Sequence, residues 1–227
     1  MEKFAVIVAG GTGTRMNSFV PKQFLKLAGK PVLMHPVNSF FSYDPAICII
    51  VVLPAELISG WESLCTQYGF TIPHTVVEGG EKRFFSVKNA LEKIPSAGLT
   101  AIHDGARPLA GQDLIGRAFD YASVHGNAIP VTRVTDTVRI LSGSSNNPMD
   151  RSKLRLIQTP QVFDTALIKN AYTRAYNNTF TDDASVLEAM GMKINLIEGE
   201  PFNIKITYPE DLFIAEALIG HQDKQTG

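Results

Sequence analysis

Several features that would narrow a reading early are scarce in this sequence. Cysteine occurs twice in 227 residues, at Cys48 and Cys65, with no metal-ligand spacing between them. Both read as buried or half-buried thiols, the usual state of a free cysteine. No excess of one charge exists, since Lys plus Arg (21) nearly cancels Asp plus Glu (22). That balance gives no support to non-specific nucleic-acid binding, so any anionic substrate must find its cations concentrated locally. No apolar run approaches the roughly 18 residues needed to cross a bilayer, which argues against a membrane partner. The apolar stretch Phe4–Gly10 is too short for a signal-peptide core and runs straight into glycines, so the expected location is the cytoplasm. A hydrophobic fraction of 44% and a charged fraction of 19% belong to an ordinary folded chain.

What is present is an alternation. Short apolar, β-branched runs (Phe4–Val8, Ile47–Leu53, Thr75–Val77, Thr100–His103, Ala128–Val131, Ile194–Ile197) suit strands buried on both faces. Between them lie segments of helical period at Val32–Phe41, Ala55–Tyr68, Ser86–Ile94, Gln112–His125, Thr165–Asn177, Asp182–Met190 and Pro209–Ile219. Strand–helix alternation of this kind predicts a doubly wound, mostly parallel α/β sheet with right-handed crossovers. One stretch breaks the pattern. Asp136–Leu141 alternates, Ser142–Pro148 is a polar turn cluster, and Leu154–Gln158 is a second extended run. Together they predict a β-hairpin arm over 132–158 that stands off the sheet and packs on a second subunit. Residues 1–220 read as one domain and 221–227 as a frayed tail.

After the first strand the sequence reads Ala9-Gly10-Gly11-Thr12-Gly13-Thr14-Arg15-Met16. Glycines there let backbone N–H groups come close to an anion, at the sheet edge where open α/β folds bind nucleotides. The loop lacks the Gly-Lys-Ser/Thr ending of a P-loop and the third glycine of the dinucleotide fingerprint. A hydride-transfer enzyme is further disfavoured because Ile47–Leu53 leads into Pro54, not into an acidic residue that would hold a ribose. Arg15 and Pro21-Lys22-Gln23 then supply two cations beside the loop. Chemistry on a triphosphate needs that arrangement, because catalysis there is mostly positioning and neutralisation of charge on phosphorus oxygens. Asp104 closes a strand, an expected place for a carboxylate that holds Mg²⁺ or caps a turn.

These segments, with Gly29-Lys30-Pro31, resemble the signature of sugar nucleotidyltransferases. More closely, the chain is similar to the 2-C-methyl-D-erythritol 4-phosphate cytidylyltransferase family of the non-mevalonate isoprenoid pathway. Further blocks carry the likeness in order: Glu78–Arg83 with Ser86, His103–Pro108, Gln158–Gln161, Thr181–Ser185 and Asn203–Thr207. The resemblance implies a Rossmann-like nucleotidyltransferase fold and transfer of CMP from CTP to a sugar-alcohol phosphate with release of pyrophosphate. It implies that Arg15, Lys22, Asp104 and Lys205 are catalytic, with Asp104 holding Mg²⁺. It places Ala9, Gly10, Gly11, Thr12, Gly13, Thr14, Gly79, Gly80, Ser86 and Gly105 around CTP. Arg107, Thr137, Arg151, Thr159 and Lys205 would meet the acceptor phosphate, Thr137 and Arg151 reaching across a homodimer. Gly105 stands where the family usually has Ala, and the segment before Asp136-Thr137 is about two residues longer than expected. Ribitol-5-phosphate cytidylyltransferase shares the glycine loop, the Pro-Lys-Gln segment and the Asn-Ile-Lys-Ile-Thr block, and stands as the rival reading. A nucleotide-binding module that has lost catalysis is the rival of another class.

Overall fold

The structure, a computed structural model, describes residues 1–11, 16 and 20–225, the last four by backbone alone. Thr12, Gly13, Thr14 and Arg15 lie outside the described residues. The strands are β1 (Lys3–Val8), β2 (Lys26–Leu27), β3 (Lys30–Pro31), β4 (Cys48–Leu53), β5 (Thr75–Glu78), β6 (Leu99–Asp104), β7 (Asn127–Arg133), β8 (Val138–Ser142), β9 (Ser145–Met149), β10 (Arg155–Ile157), β11 (Gln161–Asp164) and β12 (Leu196–Glu198). The helices are α1 (Met34–Tyr43), α2 (Ala55–Gln67), α3 (Arg83–Glu92), α4 (Gln112–His125), α5 (Thr165–Ala171), α6 (Asp183–Glu188) and α7 (Pro209–Gln225).

Among the described residues the main sheet has eight strands in the order β10-β7-β11-β6-β1-β4-β5, with β12 also paired to β7. β1, β4, β5 and β6 run parallel, while β11 is antiparallel to both of its neighbours. The alternation within β1 shows why this is a three-layer structure. Phe4, Val6 and Val8 pack with α3, α5 and α6 on one face. Ala5 and Ile7 pack with α1, α2 and α4 on the other. A strand covered on both sides has no polar face to offer, so its sequence reads as a continuous apolar run. Each fully buried Val or Ile contributes on the order of 1.5–3 kcal/mol. Because the four parallel strands share one direction, Ala9, Gly79 and Asp104 emerge together at their carboxyl edge, where the site forms.

The structure departs from the sequence expectations in particular places. β11 was not expected, because Gln161-Val162-Phe163-Asp164 is four residues long and follows Pro160. The arm is a hairpin, but its return strand is Ser145–Met149, pairing Val138 with Met149 and Ser142 with Ser145. The polar cluster is therefore mostly strand, and Gly143 (φ 57°) makes the tight turn. Leu154–Gln158 instead returns to the main sheet, where Leu156 pairs with Thr132. Cys48 is exposed at the first position of β4, outside the covered part of that strand. α5 stops at Ala171, short of Asn177, and α7 stays helical to Gln225, beyond Ile219.

Candidate active site

Asp104 ends β6 and its side chain is 13% exposed. Lys205 Nζ stands 2.7 Å from its Oδ2, Arg83 Nε donates to its Oδ1 at 3.4 Å, and Arg107 Nε lies 3.9 Å from Oδ2. Burial alone would raise the carboxyl, but the Arg83, Lys205 and Arg107 charges hold it well below the usual carboxylate range. Asp104 is thus an anion throughout the neutral range.

Arg83, the first residue of α3, spans two carboxylates. Its Nη1 and Nη2 donate to Asp183 Oδ1 and Oδ2 at 2.8 and 2.7 Å, a bidentate fork. Asp183 is fully buried and also accepts the Tyr172 hydroxyl at 2.6 Å. Burial opposes the Arg83 charge, yet Asp183 and Asp104 together raise its affinity for the proton. Asp182 has a different duty. It caps α6 in a reciprocal box with Ser185, whose backbone N–H it accepts at 2.9 Å.

The glycine loops meet from opposite sides. The Gly80 N–H donates to Ser86 Oγ at 3.1 Å, and a Cβ on Gly10 would lie 3.4 Å from that same oxygen. A Cβ on Gly79 would come within 3.0 Å of Ser86 Oγ, and one on Gly80 within 2.3 Å of Phe85 Cβ. No side chain larger than hydrogen fits at Gly80 without moving the loop. Lys22 sits in a short 3-10 turn (Lys22–Phe24) and donates to the Ile206 carbonyl at 3.2 Å. Beside it, Gln23 Nε2 donates to the Ala9 carbonyl at 2.9 Å and ties this turn to the start of the glycine loop. At Gly105 a Cβ would lie 3.0 Å from both Ala9 Cβ and Leu33 Cδ1, so an alanine would crowd the end of β1.

Two clefts share one wall. The first, about 170 Å³, is lined by Ala9, Gly10, Gly11, Lys22, Gly80 and Ser86 together with Arg83, Asp104 and Lys205. The second, about 240 Å³, takes the same Arg83, Asp104 and Lys205 and adds Arg107, Thr159 and Thr181. Arg107 is held with Nη1 on the Asn203 carbonyl (2.7 Å) and Nη2 on the Ile157 carbonyl (3.3 Å). Thr159 Oγ1 accepts the Asp104 N–H at 3.0 Å.

Most of the described site residues named from the sequence therefore line the clefts, and Gly79 and Gly105 pack directly behind the lining, against Ser86 and Ala9. Thr137 and Arg151 lie on the exposed arm and line neither cleft, and Arg151 donates to the Thr135 carbonyl. Sequence reasoning gave no role to Arg83, Asp183, Gln23, His103 or Asn203. A signal for the first two existed: Arg83 leads into Phe84-Phe85 and Asp183 into Ala184-Ser185-Val186-Leu187, so each charge borders an apolar helical segment, where burial requires a partner.

The chain matches the family model of 2-C-methyl-D-erythritol 4-phosphate cytidylyltransferase over residues 4–221. It belongs to that family. It is 49% identical over 219 residues to the enzyme of that name from Bacteroides fragilis, covering 96% of this chain and 100% of that protein. The corresponding enzyme from Bacteroides thetaiotaomicron is 47% identical over 219 residues, with the same coverage of each. The crystal structure of the Thermus thermophilus cytidylyltransferase superposes with a TM-score of 0.75 at 32% identity, over 96% of this chain and 98% of that one. Among the described residues no helix is long and apolar enough to cross a membrane.

Proposed function

We propose that this cytidylyltransferase joins CMP from CTP to 2-C-methyl-D-erythritol 4-phosphate and releases pyrophosphate. Beyond family membership, the observation that carries the reading is the shared wall of Arg83, Asp104 and Lys205 between a glycine-lined cleft and a cation-lined one. CTP takes the first cleft, with Gly79, Gly80 and Ser86 against the base and Gly10, Gly11 and Lys22 along the phosphates. Thr12, Gly13, Thr14 and Arg15 follow Gly11 in the sequence, and the family resemblance assigns them to the triphosphate as well. The acceptor takes the second cleft, its phosphate near Lys205 and Arg107.

An acceptor phosphate oxygen attacks the α-phosphorus of CTP, forming a new phosphorus–oxygen bond while the α–β bridge bond breaks and pyrophosphate departs. The attacking oxygen is already anionic at neutral pH, so no strong general base is required. Lys22 and Lys205 both line the first cleft and neutralise charge that builds on the phosphorus oxygens. Among the described residues no cluster of three or more His, Cys, Asp or Glu side chains could bind a metal by itself. Asp104 nevertheless fits Mg²⁺, which favours one or two carboxylates and completes its shell with phosphate oxygens and water. When bound, the ion would draw the triphosphate against Asp104 and stabilise negative charge on it.

The arm extends the proposal. Ile140, Leu141 and Met149 are exposed on it, at 50%, 78% and 36%. Apolar side chains on a two-stranded arm need a covering surface, and a second copy would bring Thr137 and Arg151 to a neighbouring acceptor cleft. We therefore read residues 1–220 as one catalytic domain that dimerises through 132–158. We place it in the cytoplasm, which supplies CTP. The test mixes the protein and Mg²⁺ with each common ribonucleoside triphosphate and either methylerythritol 4-phosphate or ribitol 5-phosphate, following pyrophosphate. Release with CTP and methylerythritol phosphate alone is expected. Release with ribitol phosphate instead would replace the acceptor, and silence from folded protein would leave a binding module.

A further inference from the structure

We infer that His103, which lines neither cleft, is a positioning residue that staples the turn carrying Asp104 and Arg107, and that it acts through the hydroxyl of Thr159. This rests on the cytidylyltransferase reading. It changes the part Thr159 plays, from acceptor contact to structural relay.

The directions of the hydrogen bonds carry the argument. His103 Nε2 lies 2.9 Å from the Arg107 carbonyl, which can only accept, so Nε2 holds the ring's proton. The ring is fully buried and both of its partners, a carbonyl and a hydroxyl, are uncharged, so it carries that one proton and Nδ1 is bare. Thr159 Oγ1 is 3.1 Å from Nδ1 and must donate to it. The same oxygen accepts the Asp104 N–H at 3.0 Å. The only hydrogen of the Thr159 hydroxyl is therefore committed inward. A phosphate dianion offers acceptors alone, so this hydroxyl has nothing to give it.

The surroundings fix each member. Phe40 meets the His103 ring edge-on, with centroids 5.5 Å apart and planes at 73°. The Thr159 carbonyl accepts from Asn203 Nδ2 at 2.8 Å, and Asn203 is fully buried. One end of the imidazole thus holds the Arg107 carbonyl and the other, through Thr159, holds the Asp104 N–H. Asp104 of the shared wall and Arg107 of the second cleft thus hang from a turn pinned at each end.

The test compares Thr159→Val, Thr159→Ser and His103→Asn with the wild type. Thr159→Val keeps the shape and removes the relay, and is expected to lower kcat about 10- to 100-fold while the acceptor KM stays within about twofold. Thr159→Ser keeps the hydroxyl and is expected to restore most of kcat. In His103→Asn the amide oxygen stands where Nδ1 was, so kcat falls less than in Thr159→Val. Side-chain ¹⁵N spectra of the folded wild type are expected to show a protonated Nε2 and a bare Nδ1, a readout that needs no turnover. A protonated Nδ1 overturns the relay. So does Thr159→Val with an acceptor KM raised tenfold and kcat kept, or with kinetics unchanged throughout. Wild-type protein that turns over no CTP would sink the cytidylyltransferase reading instead, with the spectra still deciding the hydrogen-bond directions.

Discussion

Replacing Asp183 by Asn is a sharp test of how this site is held. The two side chains are nearly the same shape, so packing is preserved and only charge and hydrogen bonding change. Asp183 is fully buried and accepts three hydrogen bonds, two from Arg83 and one from Tyr172. An amide can accept at its oxygen, but its NH₂ must then face an Arg83 N–H or the Tyr172 hydroxyl. Arg83 keeps its charge and retains only the long 3.4 Å contact to Asp104. Breaking a buried ion pair by removing one partner costs about 3–5 kcal/mol. The Arg83 side chain is 30% exposed, so water recovers part of that and the lower end, about 3 kcal/mol, is expected. For a chain of this size each kcal/mol shifts Tm by about 2–4 °C, which gives a fall of about 6–12 °C. Calorimetric melting of the wild type and the variant near neutral pH measures it. Tyr172→Phe, which removes one hydrogen bond from the same carboxylate, is expected to cost about 1–2 kcal/mol. The double variant should lose less than the two separate effects combined, because both act on one group. A Tm for Asp183→Asn within 2 °C of wild type would refute the claim that this pair anchors α3 to α6.

Three more predictions use other parts of the site. Burial pushes His103 down to about 4, against about 6.5 for an unfolded histidine, so the unfolded chain binds the extra proton first as pH falls. Stability should therefore decline from about pH 6.5 to pH 4 by roughly 3 kcal/mol, measured by urea unfolding across that range, and His103→Asn should flatten the decline. Gly80→Ala places a Cβ 2.3 Å from Phe85 Cβ, so the loop must move; calorimetric titration should show CTP binding at least about tenfold weaker, and unchanged affinity would remove this loop from the nucleotide site. Lys22→Ala and Arg151→Ala homodimers should each be nearly inactive, while mixing and re-annealing them should restore about a quarter of wild-type turnover per site, since random pairing gives half mixed dimers with one intact site each; no recovery would place Arg151 in its own subunit's site.

The sheet was legible in the sequence because strands buried on both faces must be apolar throughout, and β1, β4 and β6 differ from their expected ranges by a residue at either end. β11 was not legible. Its Gln161 is polar yet fully buried, and what makes it tolerable is distant: Nε2 donates to Asp182 Oδ2 and Oε1 accepts the Ala184 N–H. No local pattern reveals a partner 21 residues away. The arm's return strand failed for a related reason, since Asn146, Asn147 and Pro148 carry turn chemistry and become strand only by pairing with β8. Asp104, Lys205 and Arg107 were named from resemblance, and the structure brings them to one point. The ties that hold them, His103 to Thr159 and Arg83 to Asp183, join residues 56 and 100 positions apart and leave no mark in periodicity.

The charge around Asp104 also constrains the order in which the site fills. Arg83, Arg107 and Lys205 outnumber Asp104 and Asp183, and Lys22 adds another cation at the glycine loop. A divalent cation approaching Asp104 alone would have to compete with Lys205 at 2.7 Å and face the repulsion of the remaining cations. On the proposed reading, a nucleoside triphosphate in the first cleft would reverse the sign of that environment, because its phosphates would neutralise Lys22 and compete with Asp104 for Lys205. Asp104 would then have an oxygen to offer a metal while phosphate oxygens could complete its shell. The carboxylate is therefore suited to receive metal with the nucleotide and poorly suited to hold it beforehand. The second cleft uses the same Arg83, Asp104 and Lys205 wall, so a triphosphate that drew on those cations would also change the charge that the acceptor phosphate meets. Nucleotide first and acceptor second is the expected order on that reading, and full-affinity binding of the acceptor phosphate to nucleotide-free protein would refute it.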